Sequence, residues 1–119
     1  MAGETFETVR KICLSHPGAY EKLSHGMPGF FIEKGGQFAT FWDDHHGDGE
    51  LALVVAQPPG MQEALISSDP NMFYRPPYYG PGGWIGIRLK RETNWPELKE
   101  LVASSYEFIA AKRKRRRPH

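Results

Sequence analysis

Oxygen and imidazole groups crowd the stretch Asp43-Asp44-His45-His46-Gly47-Asp48-Gly49-Glu50. Donors of this kind together suit a divalent cation. A calcium loop needs carboxylates at its early odd positions, a glycine at 6 and a bidentate glutamate at 12. Counted from Asp44, the odd positions 3 and 5 are His46 and Asp48 and position 6 is Gly49, but position 12 is Val55. The pattern fails at its bidentate ligand. The simpler reading is a polar, solvated loop, and no metal site is expected.

Ser24-His25-Gly26 sets a hydroxyl beside an imidazole. Adjacent strand residues point to opposite faces, so the pair is not a dyad by itself. A nucleophile also needs a base within reach and a third group to orient that base. Nothing in the sequence locates one, so no catalytic residue and no enzymatic activity are expected. Cys13 has no adjacent base and reads as a small packed residue. Gly80, Gly82 and Gly83 lie close together, but no Lys-Ser/Thr pair follows them, so they are not a phosphate loop. The rings of Tyr78, Tyr79 and Trp84 can line a pocket with His25 and Phe30, or pack as a lid over the sheet edge. The pocket would make the protein a module for a small molecule or a protein partner.

The third group is cationic. Lys112-Arg113-Lys114-Arg115-Arg116-Arg117 puts six of the 15 basic residues in one run. The whole chain of 119 residues has a formal charge of +1. Residues 1–111 keep nine basic against 14 acidic residues, about −5. An acidic body therefore carries a basic tail. Nucleic-acid affinity rests largely on phosphate contacts from a basic patch. The groups available for it are Lys34, Arg75, Arg88, Lys90, Arg91 and the tail residues Lys112, Arg113, Lys114, Arg115, Arg116 and Arg117. The binding they support is weak, salt-sensitive and low in sequence specificity. An acidic protein is the other partner that the tail suits.

The elements that position these groups follow from periodicity. Phe6, Val9 and Cys13, with Ile12 beside them, mark a helix over Glu4–Leu14, ended by Pro17-Gly18. Strands are expected at Ala19–Ser24, Gly29–Glu33, Gln37–Trp42 and Glu50–Ala56, with a hairpin turn at Lys34-Gly35-Gly36. In the third strand Phe38, Thr40 and Trp42 should share one face, and Ala39 and Phe41 the other. Pro58-Pro59-Gly60 opens a short helix over Met61–Ser67. A short edge strand at Met72–Arg75 and a strand at Trp84–Leu89 follow. Asn94 caps a last helix over Trp95–Ala111, whose inner face is Leu98, Leu101, Val102, Ser105 and Ile109. One domain over 1–111 and a disordered tail over 112–119 are expected. The longest apolar run, Leu51–Ala56, is far short of the roughly 20 residues that span a bilayer. Residues 1–9 show no secretory signal, so a cytoplasmic protein without membrane contact is expected.

Several motifs in order resemble the MmcQ/YjbR family of small bacterial proteins. They are Ser24-His25-Gly26-Met27-Pro28-Gly29-Phe30, Lys34 with Phe38, Asp69-Pro70 with Phe73, Pro76-Pro77-Tyr78 with Gly80, Gly83-Trp84-Ile85-Gly86-Ile87, and a final helix ending at Lys112-Arg113. The resemblance covers about residues 4–113. It implies an α+β fold of the CyaY-like (frataxin-like) kind, a two-layer sandwich also described as double-wing. The sheet would be mostly antiparallel, with helices on one face. It also implies the DNA-binding label that members commonly carry. Frataxins bind iron through acidic residues of the first helix. Here Glu4 and Glu7 are offset by Arg10 and Lys11, so no iron site and no cofactor carry over.

Overall fold

The computed structural model describes residues 2–43, 51–90 and 93–116. The chain runs α1 (Ala2–Leu14), β1 (Ala19–Ser24), β2 (Met27–Ile32), β3 (Gln37–Asp43), β4 (Leu51–Val55), α2 (Met61–Ser68), β5 (Phe73–Tyr74), β6 (Ile85–Arg88) and α3 (Trp95–Arg116). The six strands form one sheet in the order β1-β2-β3-β4-β6-β5, and every neighbouring pair is antiparallel. The apolar run Leu51–Val55 becomes the buried central strand β4, between β3 and β6.

Alternation separates the two faces of this sheet. Phe30, Ile32, Ala39, Phe41, Leu53, Val55, Ile85 and Ile87 join the core that α1 and α3 cover through Val9, Ile12, Cys13, Leu98, Leu101 and Val102. Thr40, Trp42, Val54, Gly86 and Arg88 alternate with them on the other face. Phe38 departs from the expected pattern. The β2–β3 register slips between Phe30 and Phe31, so Gln37 pairs with Phe31, Ala39 with Phe30, and Phe38 is the extra residue of a bulge. The slip turns Phe38 onto the helix side. There it is fully buried, its ring 5.6 Å from Tyr106 of α3. Ser105 Oγ donates to the Phe38 carbonyl at 2.5 Å, tying α3 to the bulge.

Two helix ends differ in how they are fixed. Asn94 Oδ1 accepts from the Glu97 amide at 3.1 Å, as an N-cap should. The C-terminal end extends beyond the expected Ala111. Residues 112–116 are helical rather than a disordered tail. Lys and Arg are good helix formers, and cations at a helix C-terminus complement its dipole. Lys112 Nζ also sits 4.8 Å from the Phe108 ring centroid, one turn back. These gains outweigh the like-charge repulsion along the run. No described helix is long and apolar enough to cross a membrane.

Candidate nucleic-acid interface

The hairpin at Lys34 and the end of α3 meet at one pole of the molecule. Ile32 accepts from the Gly35 amide at 2.8 Å and donates to the Gly36 carbonyl at 3.0 Å, which closes the β2–β3 turn. Lys34, not a glycine, takes the left-handed conformation there, with φ 58°. A side chain built at Gly36 would lie 3.7 Å from Ile109 Cγ2, so the turn rests against α3. Ile109 and Ala110 are the last α3 residues packed on the core. Lys112 follows one turn on and is exposed. Its side chain and that of exposed Lys34 are thus the described cations of this pole.

The rest of the pole is held by the α1–β1 corner. The His16 ring stacks on Tyr106 at 4.7 Å and meets Phe38 edge-on at 6.4 Å. The Tyr106 hydroxyl donates to the Pro17 carbonyl. Burial pushes the His16 imidazole below its ordinary range, and the charge of Glu107 opposes this in part.

The remaining cations stand elsewhere, so the set expected from the sequence divides. Arg88 donates to the carbonyls of Pro70 (3.1 Å) and Asn71 (3.3 Å), and its guanidinium lies 4.7 Å over the Tyr74 ring. Gly86 leaves the space that this ring fills. The Lys90 amide and carbonyl both bond Thr93 Oγ1, at 2.7 and 2.6 Å. With Asp69, Glu97 and Asn94, these residues line a cleft of about 190 Å³ beside the first turn of α3. The cleft is mixed in charge. Its Asp69 carboxylate is engaged by the amides of Asn71 and Met72, both at 3.2 Å. From residue 95 to residue 109 the helix rises about 21 Å, which separates this cleft from Lys34. Arg75 is exposed and lies along Gly80, in the loop before β6. Arg91 and Arg117 lie outside the described residues.

The expected five-residue pocket does not assemble. Phe30 is wholly buried on the helix side of the sheet. Tyr79 lies on the other side, its ring centroid 4.6 Å from Trp84 and 5.8 Å from Trp42. Its hydroxyl donates to Gln37 Oε1 at 3.0 Å, and burial pushes the phenol above its ordinary range. Tyr78 is 83% exposed. His25 and Gly26 are the two central residues of the β1–β2 hairpin, with φ 55° and 81°. That is the mirror-image turn that suits a right-twisted hairpin, and His tolerates the left-handed position better than most residues. His25 is thus a turn residue. Tyr79 and Trp84 are a lid on the open sheet face.

Sequence reasoning missed what clamps that lid. Gln62 of α2 is 4% exposed and donates from Nε2 to the carbonyls of Gly80 (2.9 Å) and Trp84 (2.6 Å). The sequence carried little signal for it, since the same short helix also holds Glu63, Ser67 and Ser68. Arg10 of α1 bonds both oxygens of Glu21 on β1, at 2.7 and 3.0 Å, and Glu7 at 2.8 Å. The hydrogen bonds to Glu21 first, and then the charges of Glu21 and Glu7, hold the guanidinium still more firmly protonated. Cys13 is fully buried, and desolvation raises its thiol far above the ordinary range. Of the acidic stretch, Asp43 is exposed at the end of β3, and residues 44–50 lie outside the described residues. Among the described residues no three His, Cys, Asp or Glu side chains form a metal-binding group.

A family model described as YjbR matches residues 14–108. The chain also resembles a crystal structure of a Deinococcus radiodurans protein described by the family-model domain DUF419. That likeness has a TM-score of 0.73 at 20% identity, covering 88% of this chain and 78% of that one. At that identity it establishes the α+β architecture alone. No curated protein matches the chain.

Proposed function

The chain belongs to the YjbR family, and we propose that within it this protein is a non-enzymatic, cytoplasmic domain that binds nucleic acid through one pole. The contact surface is the Lys34 turn together with the basic last turn of α3, residues 112–116. One observation carries the reading. The β2–β3 turn rests on Ile109, so an exposed lysine stands beside the point where a strongly basic helix leaves the core. Such a helix end meets phosphates electrostatically and asks little of base sequence. The body at about −5 keeps the affinity low and sensitive to salt. The layering of α1 and α3 over one antiparallel sheet supports a frataxin-like, double-wing description of the fold. The cations at Arg88 and Lys90 are not part of this surface, since Arg88 is engaged with backbone carbonyls and a ring and Lys90 lines the distant mixed cleft.

Titration of labelled duplex DNA against the full chain at several salt concentrations tests the proposal. The affinity should fall linearly on logarithmic axes as salt rises. Lys34→Gln and Lys112→Gln should each weaken binding and flatten that slope by about one unit. Lys90→Gln should leave both unchanged. Binding that ignores salt, or that Lys90→Gln weakens as much as Lys34→Gln does, would falsify the assignment.

A further inference from the structure

The sheet face turned away from α1 and α3 is only half closed. On β3, β4 and β6 it is shut, with Thr40, Trp42, Val54 and Gly86 all buried. The rim of the lid is the Tyr79 hydroxyl on Gln37. Beyond that rim the same face of β1 and β2 carries Tyr20, Lys22 and Phe31. Tyr20 and Lys22 are exposed and Phe31 is half-buried. Tyr20 pairs directly with Phe31 across the strands, and their rings lie 5.6 Å apart with 20° between their planes. The Lys22 amine stands 4.7 Å from the Phe31 ring centroid. Gly29, opposite Lys22, leaves room for that ring, since a side chain there would come within 2.9 Å of it.

The two rings stand at the pole that holds Lys34. Phe31 precedes Lys34 by three residues, so their Cα atoms are no more than about 11 Å apart. Along β1 the rings lie between Lys22 on one side and the Lys34 turn on the other. β1 is an edge strand, and no described strand lies beyond Tyr20. A further flat ring can therefore continue the stack at the sheet edge. Rings flanked by cations match a nucleobase flanked by its phosphates. Inside a duplex both faces of a base are already stacked, so only an unpaired base has a face to offer.

We propose that Tyr20 and Phe31 form a stacking platform for a base of single-stranded nucleic acid, with Lys22 and Lys34 on the adjoining phosphates. The inference rests on the nucleic-acid reading above and names the kind of strand that the pole takes. A phosphate draws the Lys22 amine more strongly than a ring does, so the amine leaves Phe31 as the strand binds. The nearby carboxylates leave the platform open. Glu21 points to the helix side, where both its oxygens hold Arg10. Glu33, exposed in the turn, keeps the affinity modest. A neutral sugar would stack on the rings but make no use of the two lysines.

Titration of the full chain with three labelled DNA probes of one length tests it: a single strand, its duplex, and an abasic strand that keeps the phosphates without the bases. The single strand should bind about fivefold or more tighter than the abasic one. Tyr20→Leu should remove that advantage while leaving the abasic strand and the duplex bound as before, and Tyr20→Phe should keep it. Lys22→Gln should flatten the salt slope for the single strand by about one unit. Far-UV circular dichroism checks that each variant is folded. A single strand bound no tighter than the abasic one overturns the platform, as does a Tyr20→Leu protein that binds all three probes like the wild type or loses all three alike. In either case, duplex binding that Lys34→Gln weakens leaves the phosphate contact at the pole standing. No binding of any probe overturns both.

Discussion

At the start of α3 the polar groups are spent on the fold. Asn94 caps the helix, Asp69 holds two amides, and Arg88 holds two carbonyls and covers a ring. At the end of α3 the described cations are displayed instead, with Lys34 and Lys112 both exposed. The start of α3 is mixed in charge and its end basic, and the two put their cations to opposite uses. A basic residue is therefore informative about function only after its hydrogen bonds have been traced, because a cation already serving carbonyls has little left to offer a phosphate.

The largest effect that bears on this contrast concerns anchoring. Leu98 is fully buried and Ile109 only partly so. Leu98→Ala should cost about 2–5 kcal/mol in urea unfolding, and Ile109→Ala clearly less. Equal losses would mean that both ends are anchored alike. Next is the test of spent against displayed charge. Arg88→Gln should lower stability by about 1–2 kcal/mol, through the lost carbonyl bonds and ring contact. Lys34→Gln should change it by no more than about 0.5 kcal/mol. A stability loss at Lys34 that matched the one at Arg88 would erase the distinction. The smallest effect is on pH. The His16 imidazole is depressed in the folded state, so the folded protein binds fewer protons there than the unfolded chain. Its contribution is complete above the ordinary histidine range and is lost as pH falls through that range. Stability measured at pH 7.5 and pH 5 should drop in the wild type, and the drop should shrink in His16→Phe.

Most of the element order was legible because each element carries its own period or punctuation. Asn94-Trp95-Pro96-Glu97 announces a helix start, Leu51–Val55 a central strand, and Lys34-Gly35-Gly36 a turn. What was hidden depends on relations between elements. The bulge at Phe38 arises from the pairing of β2 with β3, so strict alternation assigned that ring to the wrong face. His25 looked like a chemical group because its backbone conformation is invisible in the sequence. The candidate pocket failed for the same reason as the alternation argument. Phe30 and Tyr79 are similar residues on opposite sides of one sheet. The continuation of α3 through Arg116 required weighing the dipole and the Phe108 contact against repulsion, and the charge run alone shows only the repulsion. The division of the cations between two poles was not legible at all, since it follows from where Ile109 meets Gly36.

The strand β1 bears on solubility. It is one of the two sheet edges, and its middle residues are Glu21 and Lys22. Two such edges pairing antiparallel must keep corresponding faces together, so each residue can oppose only one an even number of positions away. The registers centred on the strand then set Glu21 against Glu21, or Lys22 against Lys22, where like charges repel. An edge of six residues with open backbone groups is a template for fibrils in principle. Here adjacent charges of opposite sign spoil the central self-pairing registers, and the strand guards its own edge without a proline.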